Sequence, residues 1–124
     1  MTVRKEIVER RNHTRFQVPK SAFVGFGPYD AKVGQIIDVS TGGLAFRYVG
    51  TEEPSNGELS IFLAERDFYV GQIPFKTISD FEIAGKTPST PVPLRRSGVQ
   101  FGRLTGDQTS RLEHLLHSLT LGEA

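Results

Sequence analysis

The chain has 124 residues with 15 basic and 14 acidic side chains, so its formal net charge is +1 at pH 7. That length suits one domain, and a charge so close to zero argues against a protein that coats nucleic acid. The absence of cysteine excludes disulfides, thiolate catalysis and zinc–thiolate sites. The charged N-terminus is unlike a secretory signal, and no apolar run reaches the about 20 residues that span a membrane. We therefore expect a cytoplasmic protein without a membrane span.

The first elements are short strands. Residues 1–9 form a polar lead-in, and apolar Phe16 and Val18 then alternate with polar neighbours until Pro19. A second strand is expected around residues 22–26, because a turn rich in glycine and proline follows it.

A hairpin is predicted next, with "TGG" as its turn. In its first strand Val33, Ile37 and Val39 share one parity and are expected to face the core, whereas Asp38 and Ser40 share the other. The second strand carries apolar residues at alternate positions, namely Leu44, Phe46 and Tyr48.

Three further strands follow the hairpin. Alternation recurs at Leu59, Ile61 and Leu63, and again over residues 68–75, where the apolar parity changes at Gly71. We expect a bulge or bend near this glycine. Residues 84–93 form a loop rich in Pro, Ser and Thr, and a last strand places Val99 and Phe101 on one face.

The C-terminal segment changes to helical periodicity. Thr105 and Gln108 have the spacing of a capping box. Leucines that recur at helical spacing follow, at positions 112, 115, 116 and 119. The pattern predicts five to seven short antiparallel strands that curl into a small barrel, with one amphipathic helix covering its apolar end.

The segment "DVSTGG", residues 38–43, is the first candidate site. Asp38 offers acceptors and Ser40 offers a donor and two acceptors, so a pair on one face of a strand suits the Watson–Crick edge of guanine. Gly42 and Gly43 permit positive φ and let a flat ligand approach the backbone. A hairpin turn stabilised by the Asp and Ser side chains explains the same spacing, and it is the commoner explanation.

The segment "RRNHTR", residues 10–15, is the second candidate site. Guanidinium groups bind phosphate bidentately and pair with O6 and N7 of guanine, so Arg10, Arg11 and Arg15 suit an anionic partner. Three arginines taken alone are more often a solvated face. Together the two segments match a small anionic ligand that carries guanine.

This arrangement resembles the PilZ domain family, receptors for the bacterial second messenger cyclic di-GMP. The family pattern of Arg-x-x-x-Arg followed by Asp/Asn-x-Ser-x-x-Gly is present here at Arg11, Arg15, Asp38, Ser40 and Gly43. The similarity extends from "RRNHTRFQV" to "SGVQFGRLTGDQTSRLEHLL" and covers about residues 9–119. Residues 10–120 are therefore identified as a PilZ domain, with a flexible lead-in at 1–9 and a tail at 121–124.

The resemblance implies a mainly β fold: a six-stranded antiparallel barrel with a C-terminal α-helix. It implies that Arg11 and Arg15 hold phosphates and guanine edges, that Asp38 and Ser40 recognise a guanine, and that Gly43 leaves it room. In the family, an arginine at the position of Arg10 accompanies binding of a stacked ligand dimer. The expected function is a cyclic di-GMP receptor that orders its arginine loop and signals to a downstream protein partner in motility, biofilm or exopolysaccharide control.

Other functions fit the sequence less well. A ligand-independent protein-interaction adaptor on the same barrel stays open as the alternative. Binding of a nucleic-acid polymer would need a basic groove with aromatic platforms, which the near-neutral charge opposes. We expect no enzyme, because the sequence contains no nucleophile elbow, P-loop or paired acid and base. His114 and His117 lie three residues apart but lack a third ligand, so we expect no metal site.

Overall fold

A computed structural model describes residues 16–50, 57–65, 67–84 and 92–122. The lead-in 1–9 and the three arginines at positions 10, 11 and 15 lie outside the described residues, so the predictions made for them are not tested by the coordinates. The described chain forms seven strands, a short 3-10 helix and one α-helix. In chain order these are β1 (Phe16–Gln17), β2 (Ala22–Phe26), the 3-10 helix (Pro28–Asp30), β3 (Lys32–Val39), β4 (Gly43–Val49), β5 (Gly57–Leu63), β6 (Phe68–Ala84), β7 (Leu94–Phe101) and α1 (Gly106–Gly122).

The strands form one closed antiparallel barrel. Their order is β1-β3-β2-β5-β6-β7-β4, and a further pairing between β3 and β4 closes six of them into a ring. The two-residue strand β1 stands outside the ring and pairs with β3. The predicted six-stranded barrel with a C-terminal helix is therefore confirmed, and closure leaves few open strand edges.

The core fills the inside of this ring. It is built from the inward residues of all six strands, with an aromatic cluster at Phe26, Phe46 and Tyr48. The ring centroids within this cluster lie 5.2–5.7 Å apart, in tilted and edge-on arrangements that aromatic side chains prefer. Leucines of α1 complete the core at one end, at positions 112, 115 and 116 with Leu119 packing against them.

Strand β3 departs from the predicted alternation. Its pairing with β4 shifts between Ile36 and Asp38, which marks a β-bulge at Ile37. Ile36 is consequently the buried residue, whereas Val33 is 53% exposed and Ile37 is only half-buried. The prediction that Val33 and Ile37 face the core was wrong, because the bulge adds one residue and so changes the parity within the strand.

Strand β6 is much longer than the alternation around residues 68–75 indicates. It runs for 17 residues, and Phe75 pairs with β5 on one edge and with β7 on the other. The bulge expected near Gly71 is confirmed, since the β5–β6 register shifts opposite this glycine. The neighbouring Gln72 adopts a left-handed backbone conformation with φ of 57°. Two more irregularities interrupt the β6–β7 pairing and make the second half hard to read from sequence.

Helix α1 is attached to this bulge through its first turn. The predicted capping box is confirmed: the Gln108 amide donates to Thr105 Oγ1 at 3.0 Å, and Gln108 Oε1 accepts from the Thr105 amide at 2.9 Å. Gln108 Nε2 also donates to the carbonyls of Gly71 and Gln72, at 2.8 and 2.9 Å. Gln108 therefore both caps the helix and fixes its N-terminus on β6.

Candidate functional site

The N-terminal end of the described chain joins the barrel beside Asp38. In the antiparallel pairing of β1 with β3, Phe16 lies opposite Val39 and Gln17 lies opposite Asp38. Phe16 also packs against the core, which holds β1 in place. The arginine segment, residues 10–15, precedes Phe16 directly. The described chain therefore begins at the point of the barrel where Asp38 lies.

Ser40 is placed differently from its predicted position. It follows the last residue of β3 and is 1% exposed, so the expectation that it projects outward with Asp38 was wrong. Its hydroxyl accepts from the amides of Gly42 and Gly43, at 3.1 and 3.2 Å, and donates to the Gly43 carbonyl at 3.3 Å. One donor and two acceptors are all that a hydroxyl offers. Ser40 thus stabilises the turn between β3 and β4.

The close approach of strand β7 requires a glycine at position 43. A Cβ at this position would collide with the backbone oxygen of Val99 in the neighbouring strand β7. The amide of Phe101 donates to the Gly42 carbonyl at 2.9 Å, which holds β7 against the same turn. Among the described residues, positive φ occurs at Gly27, Asp30 and Gln72, so the conformational freedom predicted for Gly42 and Gly43 is not used.

Asp38 lies on the outer surface of the barrel next to small residues. It is half-buried, and its partner on β4 is Ala45, whose own partner on β7 is Gly98. Strand alternation puts these three positions on the outward face. The row thus consists of one carboxylate, one methyl group and one glycine. Ala45 within it is only 4% exposed, whereas Asp38 is half-buried.

A second polar cluster lies on the inward side, at residues that sequence analysis did not assign to a site. Tyr48 Oη donates to Asp80 Oδ2 at 2.7 Å, and Arg95 Nε contacts Asp80 Oδ1 at 2.6 Å. The Asp80 side chain is only 1% exposed. Burial, followed by the hydrogen bond to Asp80, raises the pKa of Tyr48, and the hydrogen bond to Asp80 raises the pKa of Arg95. This cluster gives the buried Asp80 carboxylate a partner at each of its two oxygens.

Strand β7 contains two adjacent arginines with different surroundings, Arg95 and Arg96. Arg95 is held by Asp80, whereas Arg96 pairs with Arg47 on β4. The alternating direction of the side chains separates the two arginines, because neighbouring residues of a strand point to opposite faces.

The described residues contain no group of three or more His, Asp or Glu side chains that could hold a metal ion. His114 and His117 are both exposed on α1. Within the same part of the chain, no helix combines the length and the apolar character that crossing a membrane requires.

The barrel is similar to three solved structures of bacterial proteins. The PilZ domain of YcgR from Escherichia coli with c-di-GMP superimposes with a TM-score of 0.64 at 19% identity, covering 90% of this chain and 92% of that one. The MrkH–c-di-GMP complex of K. pneumonia gives 0.67 at 21% identity, covering 90% and 53%. The Bacillus subtilis inhibitor of motility, MotI/DgrA, gives 0.62 at 18% identity, covering 93% and 54%.

This chain therefore spans nearly all of the YcgR domain but only about half of MrkH and MotI. The sequence matches no protein-family model and no curated protein. At these identities the likeness establishes a shared fold.

Proposed function

We propose that this chain, whose barrel has the PilZ-like fold, is a receptor for cyclic di-GMP. The observation that supports the proposal is the pairing of β1 with β3, in which Gln17 lies opposite Asp38 a few residues after the arginine segment in sequence. Arg15 adjoins Phe16, and Arg11 is five residues before it, so at up to about 3.6 Å per residue its Cα stays within roughly 18 Å of that anchor. Both arginines can therefore reach a ligand that contacts Asp38.

Each group has a chemical role in this proposal. Arg11 and Arg15 hold phosphates and the O6 and N7 edge of guanine, and Arg10 favours a stacked pair of ligand molecules over a single one. Asp38 accepts hydrogen bonds from N1–H and N2–H of a guanine that lies over the outward face. Ser40 and Gly43 contribute through the turn that they shape next to Asp38.

The signal follows from the ordering of the arginine segment. Cyclic di-GMP draws the segment onto the barrel, and it shifts the equilibrium by as much as it prefers the ordered state. The ordered segment presents a new surface to a downstream protein partner, in control of motility, biofilm formation or exopolysaccharide output. The module acts in the cytoplasm as a receptor without turnover. The nucleotide bound in the YcgR and MrkH structures supports this assignment.

A ligand-independent adaptor is the second candidate, and one observation favours it. Ser40 satisfies its hydrogen bonds within the turn, and Gly43 is required by the approach of β7. A barrel that binds no nucleotide would need both residues for the same structural reasons. Their presence thus supports the fold, and the case for the ligand depends on the three arginines and Asp38.

Isothermal titration with cyclic di-GMP tests the proposal. Wild-type protein should bind at micromolar concentration or more tightly, and Arg11→Ala, Arg15→Ala and Asp38→Ala should each weaken binding about ten- to hundredfold. Asp67→Ala is the matched control, because it removes an exposed carboxylate from the turn before β6.

Cyclic di-AMP provides the ligand control. Adenine lacks the N1–H and N2–H groups from which Asp38 is proposed to accept hydrogen bonds. Cyclic di-AMP should therefore give no heat of binding at the same concentration. Folded wild-type protein that fails to bind cyclic di-GMP would refute the receptor and leave the adaptor as the remaining candidate.

A further inference from the structure

Gln17 lies directly beside Asp38 on the outer surface of the barrel. The two residues are antiparallel partners in the pairing of β1 with β3. Their neighbours Phe16 and Val39 form the adjacent pair, and both point inward, since Val39 is buried and Phe16 packs against the core. Strand alternation therefore directs the side chains of Gln17 and Asp38 outward together.

The two flanks of Asp38 differ in their accessibility. On the side of β4 its partner is Ala45, which is only 4% exposed. On the side of β1 its partner is Gln17, which is exposed. Asp38 itself is half-buried. A ligand that reaches its carboxylate consequently approaches from the flank on which Gln17 lies.

The side chain of Gln17 is long enough to contact a group that Asp38 holds. The Cβ atoms of directly opposed residues on antiparallel strands lie about 4.5–5.5 Å apart. The amide of a glutamine extends one carbon further from the backbone than the carboxylate of an aspartate. It offers an acceptor oxygen and an NH₂ donor, whereas an ionised aspartate offers acceptors alone. The two side chains thus present neighbouring acceptors to one ligand.

We infer that Gln17 is a specificity-determining residue that accepts a hydrogen bond from the N2 amino group of guanine, an inference that rests on the proposed function. This amino group carries two hydrogens. Asp38 accepts from the one beside N1–H, and the other points past the carboxylate toward the neighbouring side chain. Gln17 Oε1 accepts from this second hydrogen, because the arginine segment is proposed to hold the opposite, O6 and N7, edge of the base. A desolvated N–H without a partner weakens binding, so Gln17 selects for bases that carry the amino group.

Titration calorimetry of the full chain with cyclic di-GMP and with cyclic di-IMP tests the inference. Hypoxanthine, the base of cyclic di-IMP, keeps N1–H and O6 but lacks the N2 amino group. Gln17→Ala should raise the Kd for cyclic di-GMP about fivefold, as expected for the loss of one neutral hydrogen bond. The same substitution should leave the weaker Kd for cyclic di-IMP within about twofold of wild type, because the group that Gln17 contacts is already absent.

Two controls accompany this titration. Asp67→Ala, in the turn before β6, should leave the Kd for each nucleotide within about twofold of wild type. Thermal melting of Gln17→Ala should give a midpoint within about 3 °C of wild type, because Gln17 is exposed.

Three results would contradict the inference, and they differ in meaning. If Gln17→Ala weakens the binding of both nucleotides equally, Gln17 acts without contacting N2. If Gln17→Ala binds cyclic di-GMP as wild type does while Asp38→Ala weakens binding, Gln17 takes no part and the receptor function stands. If wild-type protein gives no heat with cyclic di-GMP, the proposed function fails and this inference fails with it.

Discussion

Replacing Gln108 by alanine removes three hydrogen bonds that join helix α1 to the barrel. Two are donated by Nε2 to the carbonyls of Gly71 and Gln72, and the third is accepted by Oε1 from the Thr105 amide. At about 1 kcal/mol each the loss would be about 3 kcal/mol. Gln72 is exposed, so water replaces part of one bond. We expect a decrease of about 2–3 kcal/mol in the free energy of unfolding.

Urea denaturation followed by circular dichroism measures this loss. With a slope of about 2 kcal/mol per molar, the midpoint should fall by about 1–1.5 M urea. Thr105→Ala removes one side-chain cap and should lower stability by about 1 kcal/mol. Gln108→Glu keeps the acceptor for Thr105 but cannot donate to the two carbonyls, so it should resemble Gln108→Ala. A Gln108→Ala midpoint equal to that of wild type would show that the leucine contacts alone fix the helix.

Two further predictions concern the contact of Gly43 with β7 and the buried hydroxyl of Tyr48. Gly43→Ala should lower the free energy of unfolding by about 1–3 kcal/mol or prevent folding, because the added Cβ collides with the backbone oxygen of Val99. Gly57→Ala is the control, since a Cβ at position 57 meets no atom within 4 Å. It should change the free energy of unfolding by less than about 1 kcal/mol in the same urea assay. The raised pKa of Tyr48 means that the folded state retains a proton that the unfolded state releases near pH 10, so stability should fall as pH rises above about 10. Tyr48→Phe should lower the free energy of unfolding at pH 8, because it loses the hydrogen bond to Asp80. The difference in this free energy between wild type and Tyr48→Phe should become smaller by pH 11. A difference that stays constant with pH would show that titration of Tyr48 does not affect stability.

Sequence reasoning predicted those elements whose signals are local. The capping box of Thr105 and Gln108, the bulge at Gly71 and the leucine face of α1 each depend on residues close together in the chain. Such patterns survive folding because tertiary contacts reinforce them. The closed barrel followed from many short strands, one helix and the resemblance to a known family.

The errors arose where distant strands decide the outcome. An extra residue at Ile37 changed the parity of β3, and alternation in the sequence gives no sign of which of two adjacent isoleucines is extra. The second half of β6 carries the exposed side chains of Ile78, Phe81 and Ile83, so its pattern does not resemble a strand with one apolar face. The partners of Asp80 lie on two other strands, which no spacing within one segment could reveal.

The candidate site stays a prediction. The described structure adds that Gln17, which follows the arginine segment in sequence, lies opposite Asp38. The sequence could not decide whether Ser40 contacts a guanine or stabilises the turn, because a hydroxyl can do either. Whether the predicted residues bind cyclic di-GMP is a matter for the titrations proposed above.

The position of helix α1 after every strand has a consequence for biosynthesis. A nascent chain whose seven strands have already left the ribosome still lacks Leu112, Leu115 and Leu116, which cover one mouth of the barrel. Apolar surface that is exposed during this interval promotes aggregation, and pairing between distant strands is slow. Premature termination before Gly106 would therefore release a product whose apolar core lacks these leucines and is prone to aggregate.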